Sequence, residues 1–115
     1  MHVAQIRPDG SIHIMTVKGL TAMQASVDGM IEMTAGNGWV AYVNENGLMM
    51  ELPFNATASE LLGHGVVGNA VFFGGCDDEG EEIDISDEQL DRLLVGQART
   101  AVLTYFNNRD DRGNK

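Results

Sequence analysis

The chain predicts a single α+β domain: a twisted, mostly antiparallel sheet in the order ββαβββαβα, with helices packed on one side and a C-terminal amphipathic helix. Three observations predict it. Pro8-Asp9-Gly10, Asn37-Gly38 and Asn46-Gly47 each lie between short apolar runs, the signal of tight turns between strands. Thr21 with Gln24, Thr57 with Glu60 and Ser86 with Gln89 have capping-box spacing and mark three helix starts. A length of 115 residues, 43% of them hydrophobic, suits one core in one domain.

The elements follow in order. His2–Arg7 and Ser11–Val17 form a hairpin in which Pro8 presets φ and Gly10 takes the positive φ. Ile12 and Ile14 face one way, Ser11 and His13 the other. The Thr21 box opens a short helix, and Gly29 supplies its left-handed stop. Met30–Thr34 and Trp39–Asn44 are strands joined through Asn37-Gly38, and Asn46-Gly47 turns the chain into a third strand of a meander, Leu48–Leu52. Both faces of Trp39–Val43 are apolar, so this strand is expected to be central and covered on both sides.

Pro53 ends the meander. The Thr57 box opens a second helix that Gly63 stops, and Val66–Gly75 reads as a buried strand bounded by glycines. An acidic loop over 76–85 leads to the third box, where Asp87 and Glu88 sit favourably on the helix dipole. Leu90, Leu93, Leu94, Ala98, Val102 and Phe106 then keep one helical stripe over 87–106. Gly96 falls within it, at a cost of about 1 kcal/mol. The domain thus spans 1–106, and 107–115 is a polar, flexible tail.

Charge is the least ordinary feature. The net charge is −10, and between Lys18 and Arg92 there are 14 acids and no lysine or arginine. Nine of those acids lie from Asp77 to Asp91. Such a chain repels phosphate, which disfavours direct binding to nucleic acid or to an anionic membrane. One cysteine, Cys76, excludes an intramolecular disulfide, and no signal-peptide pattern or spanning apolar run is present; a cytoplasmic setting is expected.

Sites for chemistry are sought and not found. Placing Gly80 at the invariant glycine of a calcium loop puts Gly75 at the first ligand and Ser86 at the closing bidentate ligand, which fails. His2, His13, His64 and Cys76 are scattered without metal-ligand spacing, and His13 and His64 read as exposed. Ser11, Ser26, Ser59 and Ser86 each have a turn, helix or cap explanation. Cys76 adjoins Asp77, Asp78 and Glu79, a poor setting for a thiolate nucleophile. The glycines around His64 and Cys76 lack the bases of a phosphate cradle. No enzyme activity, metal or cofactor is expected.

Val27-Asp28-Gly29-Met30-Ile31-Glu32, Val43-Asn44-Glu45-x-Gly47, Leu52-Pro53-x-Asn55 and Val66-Val67-Gly68 form a pattern. Over residues 3–75 it resembles a small phage and actinobacterial family, domain of unknown function 3846. The acidic C-terminal third lies outside that pattern. The resemblance implies a mobile-element setting and carries no catalytic residues.

The leading expectation is a non-enzymatic accessory protein that binds another protein, with a basic host protein as the expected partner. The contact residues would be Asp77, Asp78, Glu79, Glu81, Glu82 and Asp84, or an apolar strand edge around Met49 and Met50. Adjacent methionines on a strand cannot both face the core, although core packing is the first explanation for the methionines as a group. Two alternatives stand beside it. One is an acidic DNA mimic, weakened by crowding of the acids into one segment. The other is a small-ligand binder with its pocket between the sheet and the Leu52–Gly63 helix.

Overall fold

Backbone hydrogen bonding in the computed structural model, which describes residues 1–95, organises five strands and three helices. The strands are β1 (His2–Ile6), β2 (Ile12–Thr16), β3 (Ile31–Gly36), β4 (Trp39–Asn44) and β5 (Ala70–Phe73). The helices are α1 (Gly19–Ser26), α2 (Ala56–Leu62) and α3 (Asp87–Val95). The sheet is antiparallel throughout, in the order β2-β1-β5-β4-β3. The expected continuation of α3 to 106 and the tail 107–115 lie outside the described residues.

The two local hairpins form as read. Arg7 and Ser11 close the first, and the Asp9 carboxylate accepts from the Ser11 amide at 2.9 Å and the Ser11 hydroxyl at 2.6 Å. In the second, Asn37 (φ 53°) and Gly38 (φ 83°) both take the left-handed region. That is the two-residue turn whose twist matches its strands, and it pairs Gly36 with Trp39.

Leu48–Leu52 is not a strand. It is a run of turns in which Met50 N–H donates to Asn46 O (2.9 Å), Glu51 N–H to Leu48 O (3.1 Å) and Leu52 N–H to Gly47 O (3.0 Å). The N–H groups of Met50, Glu51 and Leu52 are thus spent on local turns rather than on a ladder. The sheet therefore has one strand fewer than expected.

The helices also lie on both faces rather than one. Ile6, Ile12, Ile14, Ala41 and Phe72 pack with Ala58 and Leu62 of α2 and Leu90 and Leu93 of α3. The alternate residues Val3, Val71 and Phe73 pack with Met23 of α1. Strands that are apolar on both sides need cover on both sides, and the two helices bracketing β5 in sequence cannot supply it alone. As expected, β4 is interior, with Trp39, Ala41 and Val43 buried; Arg92 of α3 stacks over the Trp39 ring at 4.9 Å.

The capping boxes divide. Ser86 and Gln89 form theirs reciprocally: Gln89 N–H donates to Ser86 Oγ at 3.0 Å and Ser86 N–H to Gln89 Oε1 at 2.9 Å. The other two do not form. Helix α1 starts at Gly19, before Thr21, and no side chain caps it. Its left-handed stop is Asp28 (φ 64°), not Gly29; a side chain at Gly29 would meet the Asn44 amide instead.

Helix α2 starts one residue before Thr57, with Asn55 as its cap. Asn55 is fully buried, and its Oδ1 accepts from Ala58 N–H at 3.0 Å while its Nδ2 donates to Ile6 O and Gly68 O at 2.9 Å each. One side chain thus ties β1, α2 and the approach to β5 together. Gly63 (φ 79°) stops the helix as expected.

Candidate functional site

An opening of about 600 Å³ lies on the α2 face beside β3 and β4. Its first wall is the turn after β4. Asn44 is buried; its amide donates to Val27 O at 3.0 Å, and its Oδ1 accepts from Asn46 N–H at 2.7 Å. This holds the chain in the turn described above. Leu48 and Met49, both within this run of turns, are 82% and 86% exposed. The opposite wall is the segment after α2 together with Phe54, which lies just before α2, bridges Val67 and is 60% exposed.

The third wall is β3. Glu32 and Thr34 face the opening, and Thr34 Oγ1 shares a 3.0 Å hydrogen bond with His64 Nε2. Val43 and Val66 form the apolar floor, and Glu32 and Glu45 bring carboxylates to the lining. Among the described residues, no lysine or arginine lines the groove. Chemically it is an apolar trough with an acidic side. Apolar Leu48, Met49 and Phe54 thus share one opening with the carboxylates of Glu32 and Glu45.

The acidic segment is an ordered hairpin rather than an open loop. Gly74 N–H donates to Ile83 O, Ile83 N–H to Gly75 O and Asp77 N–H to Glu81 O, at 2.7, 2.8 and 2.9 Å. The Asp77 carboxylate is spent on the turn, accepting from Glu79 N–H and Glu81 N–H. Glu82 accepts from Tyr42 Oη–H at 2.6 Å, and Asp84 accepts from His2 N–H at 3.0 Å. Burial first, then Glu82, pushes the Tyr42 phenol well above its ordinary range. Asp78, Glu79 and Glu81 are exposed.

The predicted contact residues therefore fall in two places. Asp77 to Asp84 share one hairpin, of which Glu82 borders a second, smaller depression of about 380 Å³. Met49 lines the larger groove, and Met50, half exposed, accepts from Asn44 Nδ2 through its sulfur. Neither methionine is on a strand edge. His13 is half-buried rather than exposed, its ring bonded to Ser11 Oγ at 2.9 Å, and burial above all lowers its pKa. His64 is exposed, as expected, and Cys76 is an exposed free thiol.

No cluster of three or more metal-ligating side chains exists among the described residues, and no helix among them is long and apolar enough to cross a membrane. Sequence reasoning missed Glu32, Thr34, His64 and Phe54 as groove residues. Only the alternation that puts Glu32 and Thr34 on one face of β3 was visible in advance.

Comparison with known proteins adds one match. No curated protein and no solved structure matches the chain. A family model matches residues 1–97, so the acidic hairpin, expected outside the pattern, lies within it. The chain belongs to the family described as a domain of unknown function (DUF3846).

Proposed function

We infer that this chain is a non-enzymatic accessory protein that binds a basic segment of a partner protein in the groove beside β3. The observation that carries this reading is the lining: exposed Leu48, Met49 and Phe54 against Glu32 and Glu45, in a chain with no lysine or arginine from Gly19 to Asp91. Exposed apolar side chains gathered at one opening mark an interaction site more often than scattered ones do. Acidic surroundings select cationic partners and speed their approach. The acidic hairpin adds long-range attraction, which fits the mobile-element setting and the host-protein partner suggested by the sequence, and leaves the groove to make the contact.

A small-ligand pocket is the second reading, favoured by one observation. The groove volume of about 600 Å³ falls in the range of small-molecule clefts. Binding of the peptide acetyl-Lys-Val-Lys-Val-Lys-Val-Lys-amide, followed by fluorescence anisotropy, tests the leading reading. Binding that weakens in Glu32→Gln/Glu45→Gln and in Met49→Ser/Phe54→Ser supports it. Equal binding by wild type and both variants would refute the groove as the contact.

A further inference from the structure

We propose that the partner segment binds as an added antiparallel strand on β3, with its basic side chains in the groove and apolar side chains beside Ile31, Met33 and Ala35. This rests on the reading just given and specifies how the contact is made.

Among the described residues, the sheet order leaves two edges, β2 and β3. Edge strands present unpaired backbone groups, and native proteins blunt them with lysine, proline, bulges or a covering element. In β3 the six residues Ile31-Glu32-Met33-Thr34-Ala35-Gly36 hold no lysine and no proline, and they pair with β4 in unbroken register without a bulge. Arg7 and Lys18, two of the chain's few cations, flank β2 in sequence, whereas the groove face of β3 has Glu32 within it and Glu45 next to it; Lys18 shares a depression with Ile31 on the other face. A cationic strand is therefore directed to β3.

The register says which groups are free. A two-residue hairpin closes on a hydrogen-bonded pair, here Gly36 with Trp39, and such pairs alternate along the ladder. Glu45 N–H donates to Met30 O at 2.8 Å, which fixes the same phase at the other end. The backbones of Glu32, Thr34 and Gly36 thus point into β4, and those of Ile31, Met33 and Ala35 point outward. These three residues offer three N–H and three C=O groups to a new strand.

The two faces of that strand are also specified. On the groove face it passes Glu32 and Thr34. On the other it passes Ile31, Met33 and Ala35, where Met33 is 55% exposed and Leu20 of α1 is 60% exposed nearby. Alternating basic and apolar residues satisfy both faces in one strand.

The alternating peptide above is the probe, measured by calorimetry against a block peptide of the same composition (four lysines followed by three valines). The Met33→Pro variant removes an outward donor and leaves every β3–β4 hydrogen bond in place, so the fold is retained. It should bind the alternating peptide at least about tenfold more weakly, the loss of roughly one to two hydrogen bonds. In the antiparallel arrangement the valines pair with Ile31, Met33 and Ala35. N-methylation of the valines should abolish binding, whereas N-methylation of the lysines should leave it; this test does not alter the protein.

Equal affinity for the alternating and block peptides, or equal effects of the two methylations, would overturn strand addition. If both peptides then still weaken with Glu32→Gln/Glu45→Gln, the groove reading survives without it. No binding by either peptide would overturn both. A concentration-dependent dimer of the free protein in sedimentation, lost in Met33→Pro, would make the occupant a second copy and overturn the basic partner.

Discussion

Replacing Asn55 with alanine should remove most of the fold's margin of stability, although the residue touches no candidate contact surface. In the wild type its amide satisfies the carbonyls of Ile6 and Gly68, and its oxygen caps α2 at Ala58, all inside the core. Alanine leaves two buried acceptors and one buried donor without partners. Each such loss costs about 1–3 kcal/mol, and water entering the small vacancy offsets part of it. A net loss of about 3–4 kcal/mol is expected, against a typical total of roughly 5–15 kcal/mol. For a domain of this size that lowers Tm by about 12–16 °C.

The assay is paired thermal and urea unfolding followed by circular dichroism, with Thr57→Ala as the control. Thr57 has the sequence signature of a cap but does not serve as one, so its replacement should cost within about 0.5 kcal/mol. Asn55→Asp sharpens the test. Its carboxylate would keep the cap but face two carbonyl oxygens, which raises its folded pKa above the unfolded value. The deficit of this variant should therefore shrink as pH falls and grow as pH rises through the carboxylate range. A loss below about 1 kcal/mol in Asn55→Ala, or equal losses in Asn55→Ala and Thr57→Ala, would refute the reasoning.

Three further outcomes follow. Ser86→Ala should destabilise by about 1 kcal/mol, seen as a lower urea midpoint at unchanged m-value, because the Gln89 amide loses its acceptor. His13 is held below its ordinary pKa of 6.5, first by burial and then by Arg7, so the unfolded chain binds the proton more readily; stability should rise with pH up to 6.5, and His13→Gln should flatten that rise in pH-dependent melting. Converting the exposed Asp78, Glu79 and Glu81 to Asn or Gln should slow association with the alternating Lys-Val peptide at low salt and leave Tm nearly unchanged, as read by stopped-flow mixing across a salt series.

What the sequence disclosed was local. Asn37-Gly38 requires two successive positive φ values, a demand readable from two residues, and Ser86 with Gln89 satisfies each other's backbone without outside help. Asn46-Gly47 looked the same and was not. The Asn44 side chain captures the Asn46 amide and is itself held by Val27 O, 17 residues away, so a long-range tie converts a hairpin signal into a closed turn. The α2 cap follows the same logic. Thr57 and Asn55 both have capping side chains, but only Asn55 meets the carbonyls of Ile6 and Gly68, and no short window contains those partners.

The site was less legible than the fold for the same reason. Its walls come from β3, from the turn after β4 and from the segment after α2, and only Met49 stood out beforehand. The free edge of β3 depends on β5 inserting between β1 and β4. The family pattern becomes intelligible in these terms. Asn44 and Asn55 hold the turn and the helix start that frame the groove, and Glu32 and Glu45 of the same pattern line it.

Amide hydrogen exchange on β3, with and without the alternating Lys-Val peptide, tests the central claim most directly. In the free protein the amides of Ile31, Met33 and Ala35 point to solvent and should exchange fast, while those of Glu32, Thr34 and Gly36 are held in the β4 ladder. Saturating peptide should slow the first three by at least about tenfold and change the second three far less. Protection confined to residues around Met49 and Phe54, with Ile31, Met33 and Ala35 exchanging as in the free protein, would contradict strand addition at β3.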